Sequence, residues 1–200
     1  MFALRGSRSA NDPPAMRAGL DKLYAAALWL SAACLVAIAL LIGAQLFGRL
    51  IDESLKLIGI EPFGIVILSL AEFSGSLLAA ASFLALAGTL KAGAHIRITM
   101  LLQALPPRGR YALELWAFGA SALLSAYIAW QLTHFAFVSF QFDEVSPGVV
   151  RFPLAVPQAA MALGAIILTI ALIDEFVLVL RGREPSFRKS EDAITLGKAE

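Results

Sequence analysis

Residues 23–48, LYAAALWLSAACLVAIALLIGAQLFG, carry no Asp, Glu, Lys or Arg. A helix of about 20 apolar residues is long enough to cross a hydrocarbon core of roughly 30 Å. Inside lipid the backbone must satisfy its own hydrogen bonds, and in one unbroken apolar run of this length only a helix does so. The segment therefore predicts a transmembrane helix.

Three further apolar segments follow, at residues 63–90, 111–140 and 157–180. The chain is 59% hydrophobic and its mean hydropathy is +0.78, whereas a typical soluble domain has about 45–50% apolar residues. All 9 prolines lie in tails, in connections or at the first turn of the last segment, where proline is tolerated. We predict an all-α membrane protein with four transmembrane helices, a disordered tail at residues 1–22 and a charged tail at residues 181–200.

The cationic residues are distributed unevenly between the two sides that four spans create. Only 3 of the 16 Lys and Arg residues, namely Arg49, Lys56 and Arg151, lie in the first and third connections. The others lie in the two tails and around the second connection. Because cytoplasmic segments of membrane proteins are enriched in Lys and Arg, both termini are predicted to be cytoplasmic.

Residues 93–105, GAHIRITMLLQAL, lie in the second connection and are too short and too charged to span a membrane. Their Ile, Met and Leu side chains suit the membrane interface, while His95, Arg97, Thr99 and Gln103 suit the headgroup level. We predict an amphipathic segment in the plane of the membrane on its cytoplasmic side. An ordinary cytoplasmic loop is the alternative.

Small residues at regular spacing are typical of helix–helix contacts in membranes, where close backbone approach drives association. Three such ladders predict contact faces on the second, third and fourth helices: Gly75, Ala79 and Ser82; Ala117, Ser121, Ser125 and Ala129; and Ala160 and Gly164. Ladders that face lipid are the alternative, because an alanine-rich chain produces this spacing by chance.

Glu72 falls inside the second apolar segment, near mid-membrane, where a charge costs roughly 2.5–3.5 kcal/mol on insertion scales. Two hypotheses explain it: a proton or cation site, and a structural hydrogen bond to another helix or to a partner subunit. No second acid occurs near that depth, which favours the structural hypothesis.

The sequence contains no recognisable catalytic, metal-binding or cofactor-binding constellation. The 2 histidines, His95 and His134, are predicted on opposite membrane faces, and the single cysteine, Cys34, lies in the first apolar segment. Neither a phosphate-binding glycine loop nor a nucleophile turn is present. We expect no metal, no other cofactor and no nucleic-acid partner. An accessory or structural membrane role is favoured over an enzyme.

Two groups of residues resemble a known family. The first is Glu72, Gly88, Gly93, His95, Ile96, Arg97, Leu105 and Pro106, and the second is Glu144-Val145-Ser146-Pro147-Gly148 followed by Arg151, Pro153, Pro157 and Gln158. In order and spacing these residues resemble the small permease subunit of tripartite ATP-independent periplasmic (TRAP) transporters, over about residues 20–182. Phe73 departs from the family pattern, which commonly has a second acid beside the first.

The resemblance implies a bacterial inner-membrane protein that binds a large permease subunit and helps to dock a soluble periplasmic substrate-binding protein. The large subunit would carry the substrate and sodium sites, and the solute would typically be an organic acid anion. The candidate partner-interface residues are Arg49, Asp52, Glu53, Glu72, His95, Arg97, Glu144, Ser146, Pro147 and Arg151. The alternative function is a self-sufficient oligomeric carrier, coupled to protons through Glu72.

Overall fold

A computed structural model describes residues 14–62, 64, 67–91 and 106–182. Within them the chain forms four helices and no strand: α1 (Pro14–Leu57), α2 (Leu70–Lys91), α3 (Pro107–Gln141) and α4 (Ala155–Leu180). Each helix is long and apolar enough to cross a membrane. The prediction of an all-α protein with four membrane-spanning helices is confirmed.

Helix α1 extends beyond both ends of the apolar segment that predicts it. It begins at Pro14, so residues 14–22, predicted as part of a disordered tail, are helical. Proline at the first turn and strong helix formers after it favour this early start. At the other end Lys56 pairs with Glu53, one turn earlier, at 3.7 Å. With 44 residues in α1 and 22 in α2, α1 is about 66 Å long, twice the roughly 33 Å of α2.

Helix α2 begins later than predicted, at Leu70 rather than at residue 63. The chain before it is left-handed at Gly64, with φ +69°, and at Ser69, with φ +58°, which a right-handed helix does not contain. The carbonyl oxygen of Ser69 accepts from the N–H groups of Glu72 and Phe73, both at 3.1 Å, and so starts the helix. Glu72 therefore lies in the first turn of α2, and its predicted position near mid-membrane is wrong.

The helices pack in the order α1, α2, α4, α3, as an open row. α1 packs along α2, α2 along α4 and α4 along α3, whereas α1 meets α4 only slightly. Sequential helices run antiparallel, so α2 and α4 run parallel in the middle of the row. We call the end that holds the start of α1 and the end of α4 the terminal end. The α1–α2 and α3–α4 connections lie at the opposite end, called the loop end.

Small residues bring the two middle helices together. Gly164 of α4 lies so close to α2 that a Cβ there would be 2.5 Å from the carbonyl carbon of Phe83. Two buried clusters continue the contacts between helices: Tyr24, Ala27, Ala87, Ile167 and Ala171; and Phe118, Ala122, Leu172 and Val179. Close packing of this kind is what associates helices in lipid, where apolar contact alone favours neither lipid nor protein.

Helix α1 is tied to α2 by polar contacts at two levels. Ser31 donates its hydroxyl hydrogen bond to the carbonyl oxygen of Ala81 at 2.8 Å. At the terminal end Lys91 pairs with Asp21, and its ammonium lies 4.8 Å from the centroid of the Tyr24 ring. These contacts fix the register of the two helices.

Several predicted features lie outside the described residues. They are the in-plane segment at residues 93–105 with His95 and Arg97, the first part of the N-terminal tail, and most of the C-terminal tail. The compartment that each end of the row faces stays a prediction.

Candidate functional site at the loop end

The segment that leads into α2 ends the α1–α2 connection, and it contacts both α1 and the α3–α4 connection. From α1, the side-chain oxygen of Gln45 accepts a hydrogen bond of 2.6 Å from the Ile67 N–H. From the α3–α4 connection, the Val150 N–H donates to Ser69 Oγ at 3.0 Å. Two connections that are distant in the sequence are thereby joined into one site.

The Glu72 carboxylate holds the α3–α4 connection at its turn. Ser146, which is only 3% exposed, donates its hydroxyl hydrogen bond to Glu72 Oε2. Gly148 lies so close that a Cβ at this position would overlap the same carboxylate. The hydrogen-bond partner of Glu72 is therefore a loop of the same chain, whereas the structural hypothesis expected another helix or a partner subunit.

Stacked rings and backbone hydrogen bonds give the connection a defined conformation. Phe152 stacks on Phe73 with ring centroids 4.8 Å apart. Across the neck of the loop, the Ser146 N–H donates to the Phe152 carbonyl at 2.9 Å, and the Leu154 N–H donates to the Glu144 carbonyl at 3.0 Å. The loop is thus closed on itself and fastened to α2.

The charged residues of this loop differ in their surroundings. The Glu144 carboxylate accepts the hydroxyl hydrogen of Ser139 at 2.6 Å, which ties it to the last turns of α3. Arg151 is exposed and forms no ion pair or hydrogen bond with the residues that the structure describes. Val149 is 76% exposed. The loop therefore presents a cation and an apolar side chain on its surface, while one of its acids is engaged with α3.

Other predicted interface residues lie on the part of α1 that projects past the start of α2. Gln45 lies opposite Ile67, so the last three turns of α1 continue beyond the α2 helix. The structure places the predicted residues that it describes in two groups: Glu72, Glu144, Ser146, Pro147 and Arg151 around the loop, and Arg49, Asp52 and Glu53 on the α1 extension.

Four residues of this site were not predicted as interface residues. Gln45, Ser69, Phe73 and Gly148 each make a contact that holds the loop end together. The Ser-Pro-Gly sequence does signal a turn. The contact between that turn and the start of α2 joins residues 74 positions apart, and no local pattern in the sequence signals it.

The chemistry of the site is hydrogen bonding, ring stacking and surface charge. Within the described residues no group of three His, Cys, Asp or Glu side chains is placed to hold a metal ion. Fold and site together define a class of protein: a small multi-pass membrane protein with an ordered polar site at one end of its helices.

The family model of tripartite ATP-independent periplasmic transporters, DctQ component, matches residues 62–182. The chain belongs to this family, whose members are the small membrane subunits of TRAP transporters rather than enzymes. The family predicted from the sequence is thus confirmed. The match contains α2, α3, α4 and the loop between them, and it leaves α1 outside. A comparison with curated proteins finds no match.

Proposed function

We propose that this chain is the scaffold and docking subunit of a TRAP transporter in a bacterial inner membrane. Both termini lie in the cytoplasm, and the loop end faces the periplasm. The large permease subunit binds this chain within the membrane and couples uptake of the solute to an ion, which the family resemblance suggests is sodium. The soluble substrate-binding protein docks at the loop end and delivers an organic acid anion.

The ordered loop is the observation that supports docking. It is fastened to the start of α2 through Ser69, Glu72 and Phe73, so its conformation exists before a partner arrives. A surface that is ordered in advance loses less conformational entropy on binding. The loop exposes the charged side chain of Arg151 beside that of Val149, which is 76% exposed, at the end of the apolar spans, and such a mixed surface suits a soluble protein partner.

The outer helices of the row support the scaffold role. α1 and α3 occupy the two outer positions and expose large aromatic side chains: Trp29 of α1 is 78% exposed, and Trp116 of α3 is 72% exposed. An open row presents more helix surface than a closed bundle of the same helices. A large permease subunit therefore finds a broad apolar surface along the row.

Assembly of the complex tests both parts of this proposal. The chain is expressed with the large permease and the soluble binding protein of its transporter, and the membrane complex is purified in nanodiscs. We expect the chain to co-purify with the permease, and the soluble protein to bind this complex but not the permease alone. Purification of the chain as a homo-oligomer that transports solute by itself would contradict the proposal.

A proton-coupled carrier that uses Glu72 is not supported by its position. Such a carrier needs an acid within the span that each side reaches in turn, whereas Glu72 lies in the first turn of α2 with Ser146 on its carboxylate. An amide at this position exchanges no proton. Full uptake by the complex that carries Glu72→Gln would therefore exclude this alternative.

A further inference from the structure

We infer that Glu72 is the positioning residue of a docking loop, which we define as residues 146–152. Its carboxylate holds this loop in the conformation that the soluble substrate-binding protein meets. The inference rests on the proposed function, because it assigns the docking surface to this loop. Glu72 acts through Ser146 and Gly148 and does not itself touch the partner.

Some residues of the docking loop pack against the first turn of α2, and the others are exposed. Ser146 is buried, and Gly148 and Phe152 are half-buried, whereas Pro147, Val149 and Arg151 are exposed. The held residues contact the first turn of α2: Ser146 and Gly148 lie on Glu72, and Phe152 lies on Phe73. The contacts of the Glu72 carboxylate with Ser146 and Gly148 therefore determine which side chains of the loop are exposed to a partner.

A carboxylate is well suited to this task. It accepts several hydrogen bonds at once, and a hydroxyl donates to it more strongly than to a neutral oxygen. Because Glu72 lies in the first turn of α2, the positive end of the helix dipole compensates its charge. No cationic side chain is needed to compensate the charge of the Glu72 carboxylate.

Gly148 provides a second variant that tests the same contact from the other side. A Cβ at this position would overlap the Glu72 carboxylate, which is the far end of a flexible side chain. We therefore expect Gly148→Ala to displace the carboxylate without disturbing helix packing. Gly75→Ala is the matched control on α2, because a Cβ there has no atom within 4 Å.

The first measurement is trypsin cleavage after Arg151 in the membrane complex of this chain with the large permease, in nanodiscs and without the soluble protein. Mass spectrometry identifies the fragment that begins at Phe152. Proteolysis of a loop follows the population of its open form when opening is fast.

Glu72→Ala and Gly148→Ala are expected to accelerate this cleavage about tenfold or more, as a lost charge-assisted hydrogen bond predicts. Glu72→Gln is expected to accelerate cleavage only about threefold, because the amide oxygen still accepts the Ser146 hydroxyl, though in a weaker, neutral hydrogen bond. Gly75→Ala is expected to stay within about twofold of wild type.

The second measurement is the Kd of the fluorescently labelled soluble binding protein for the same complexes. Glu72→Ala and Gly148→Ala are expected to raise this Kd about fivefold, because apparent affinity falls with the fraction of loops in the binding conformation. The amount of permease that co-purifies with each variant is expected to be unchanged. A general folding defect would lower that amount. Glu72→Gln, which has the same net charge as Glu72→Ala, is expected to raise the Kd less than Glu72→Ala does, because it keeps a neutral hydrogen bond to Ser146.

Two results overturn the inference. One is a Glu72→Ala complex in which Arg151 is as protected as in wild type, and the other is accelerated cleavage with an unchanged Kd. The failure of the proposed function looks different. In that case the soluble protein would not bind even the wild-type complex, although the trypsin assay would still report whether Glu72 holds the loop.

Discussion

Gly164 lies where the backbones of α4 and α2 touch. A Cβ on this residue would be 2.5 Å from the carbonyl carbon of Phe83 and 2.7 Å from the backbone nitrogen of Leu84. Backbone atoms within a helix do not rotate aside, unlike the carboxylate that faces Gly148. At residue scale, the contact between the middle helices therefore depends on the absence of one methyl group.

Gly164→Ala is predicted to destabilise the folded protein by about 1–3 kcal/mol, the usual cost of overpacking a close contact. The two helices must move apart to admit the methyl group. Equilibrium unfolding of the purified protein in mixed micelles of mild detergent and dodecyl sulfate measures this free energy. Gly43→Ala on α1 is the control, since a Cβ there has no atom within 4 Å. Equal stability of the two variants would show that α2 and α4 do not touch at Gly164.

At the scale of elements, α1 is an edge helix that depends on a few polar ties to α2. Ser31 donates to the Ala81 carbonyl near the middle of both helices, and Gln45 accepts from Ile67 near the loop end. A serine hydroxyl in lipid donates either to a carbonyl of its own helix or to one of a neighbouring helix, and that of Ser31 donates to the neighbouring helix. These ties therefore fix how far α1 slides along α2.

Ser31→Ala is predicted to lower the free energy of unfolding by about 0.6 kcal/mol, the average measured for hydrogen bonds between membrane helices. The same micelle titration measures it. Ser82→Ala is the matched control, because Ser82 is exposed and its hydroxyl donates to the Leu78 carbonyl of its own helix. A loss of similar size in both variants would mean that the Ser31 hydroxyl does not link α1 to α2.

The number and type of the helices were predictable from the sequence, because an apolar run of bilayer length has no stable alternative to a helix in lipid. The start of α2 was not predictable. The sequence FGIVILSL, residues 63–70, is as apolar as the helix that follows it. The break at Ser69 is sustained by a tertiary contact, the hydrogen bond from Val150. Glu72 was misplaced in depth for this reason.

The ladders of small residues were predicted correctly only in part. Gly164, Ser125 and Ala129 are buried, whereas the exposed positions are Gly75, Ser82, Ala117 and Ser121. A helix has about 3.6 residues per turn, so residues spaced by four drift around it and leave the contact face. The buried face of α3 instead steps by four, three and four residues, through Phe118, Ala122, Ser125 and Ala129. Spacing alone did not show which face meets a neighbouring helix.

At the scale of the whole molecule, the order of the helices in the row is testable by disulfide cross-linking. In a Cys34→Ala background, Ser31→Cys with Ala81→Cys links α1 to α2, and Ser125→Cys with Thr169→Cys links α3 to α4. Both pairs are expected to cross-link under mild oxidation. The hydroxyl oxygens of Ser125 and Thr169 lie 2.9 Å apart, and Ser31 Oγ lies 2.8 Å from the backbone carbonyl oxygen of Ala81, so the two helices are in contact at each pair. Mass spectrometry of linked peptides detects the products.

A third pair, Ser31→Cys with Thr133→Cys, is the control for the open row. It would join α1 to α3 at a similar depth, and these helices occupy the two outer positions. No product is expected within one chain. Efficient cross-linking of this pair would mean that the four helices close into a bundle.

The charge of the loop end predicts the sign of the charge on the partner surface that docks there. Its described residues include six acids and three cations: Asp52, Glu53, Glu61, Glu72, Asp143 and Glu144 against Arg49, Lys56 and Arg151. Surface charge of one sign steers a partner of the opposite sign, and salt screens this effect. A soluble binding protein that docks at the loop end is therefore predicted to present Lys and Arg side chains.

Charge reversal at the edge of this surface tests the prediction through the association rate. Glu61→Lys is expected to slow association of the soluble protein by about two- to fivefold at low salt, and Lys56→Glu to accelerate it by a similar factor, because rim charges act mainly on that rate. Lys22→Glu changes the same number of charges near the terminal end and is expected to have no effect. Stopped-flow fluorescence at low and high ionic strength measures the rates, and the differences should shrink as salt is added. Faster association with Glu61→Lys would mean that the partner surface is acidic and is attracted to the cations of the loop end instead.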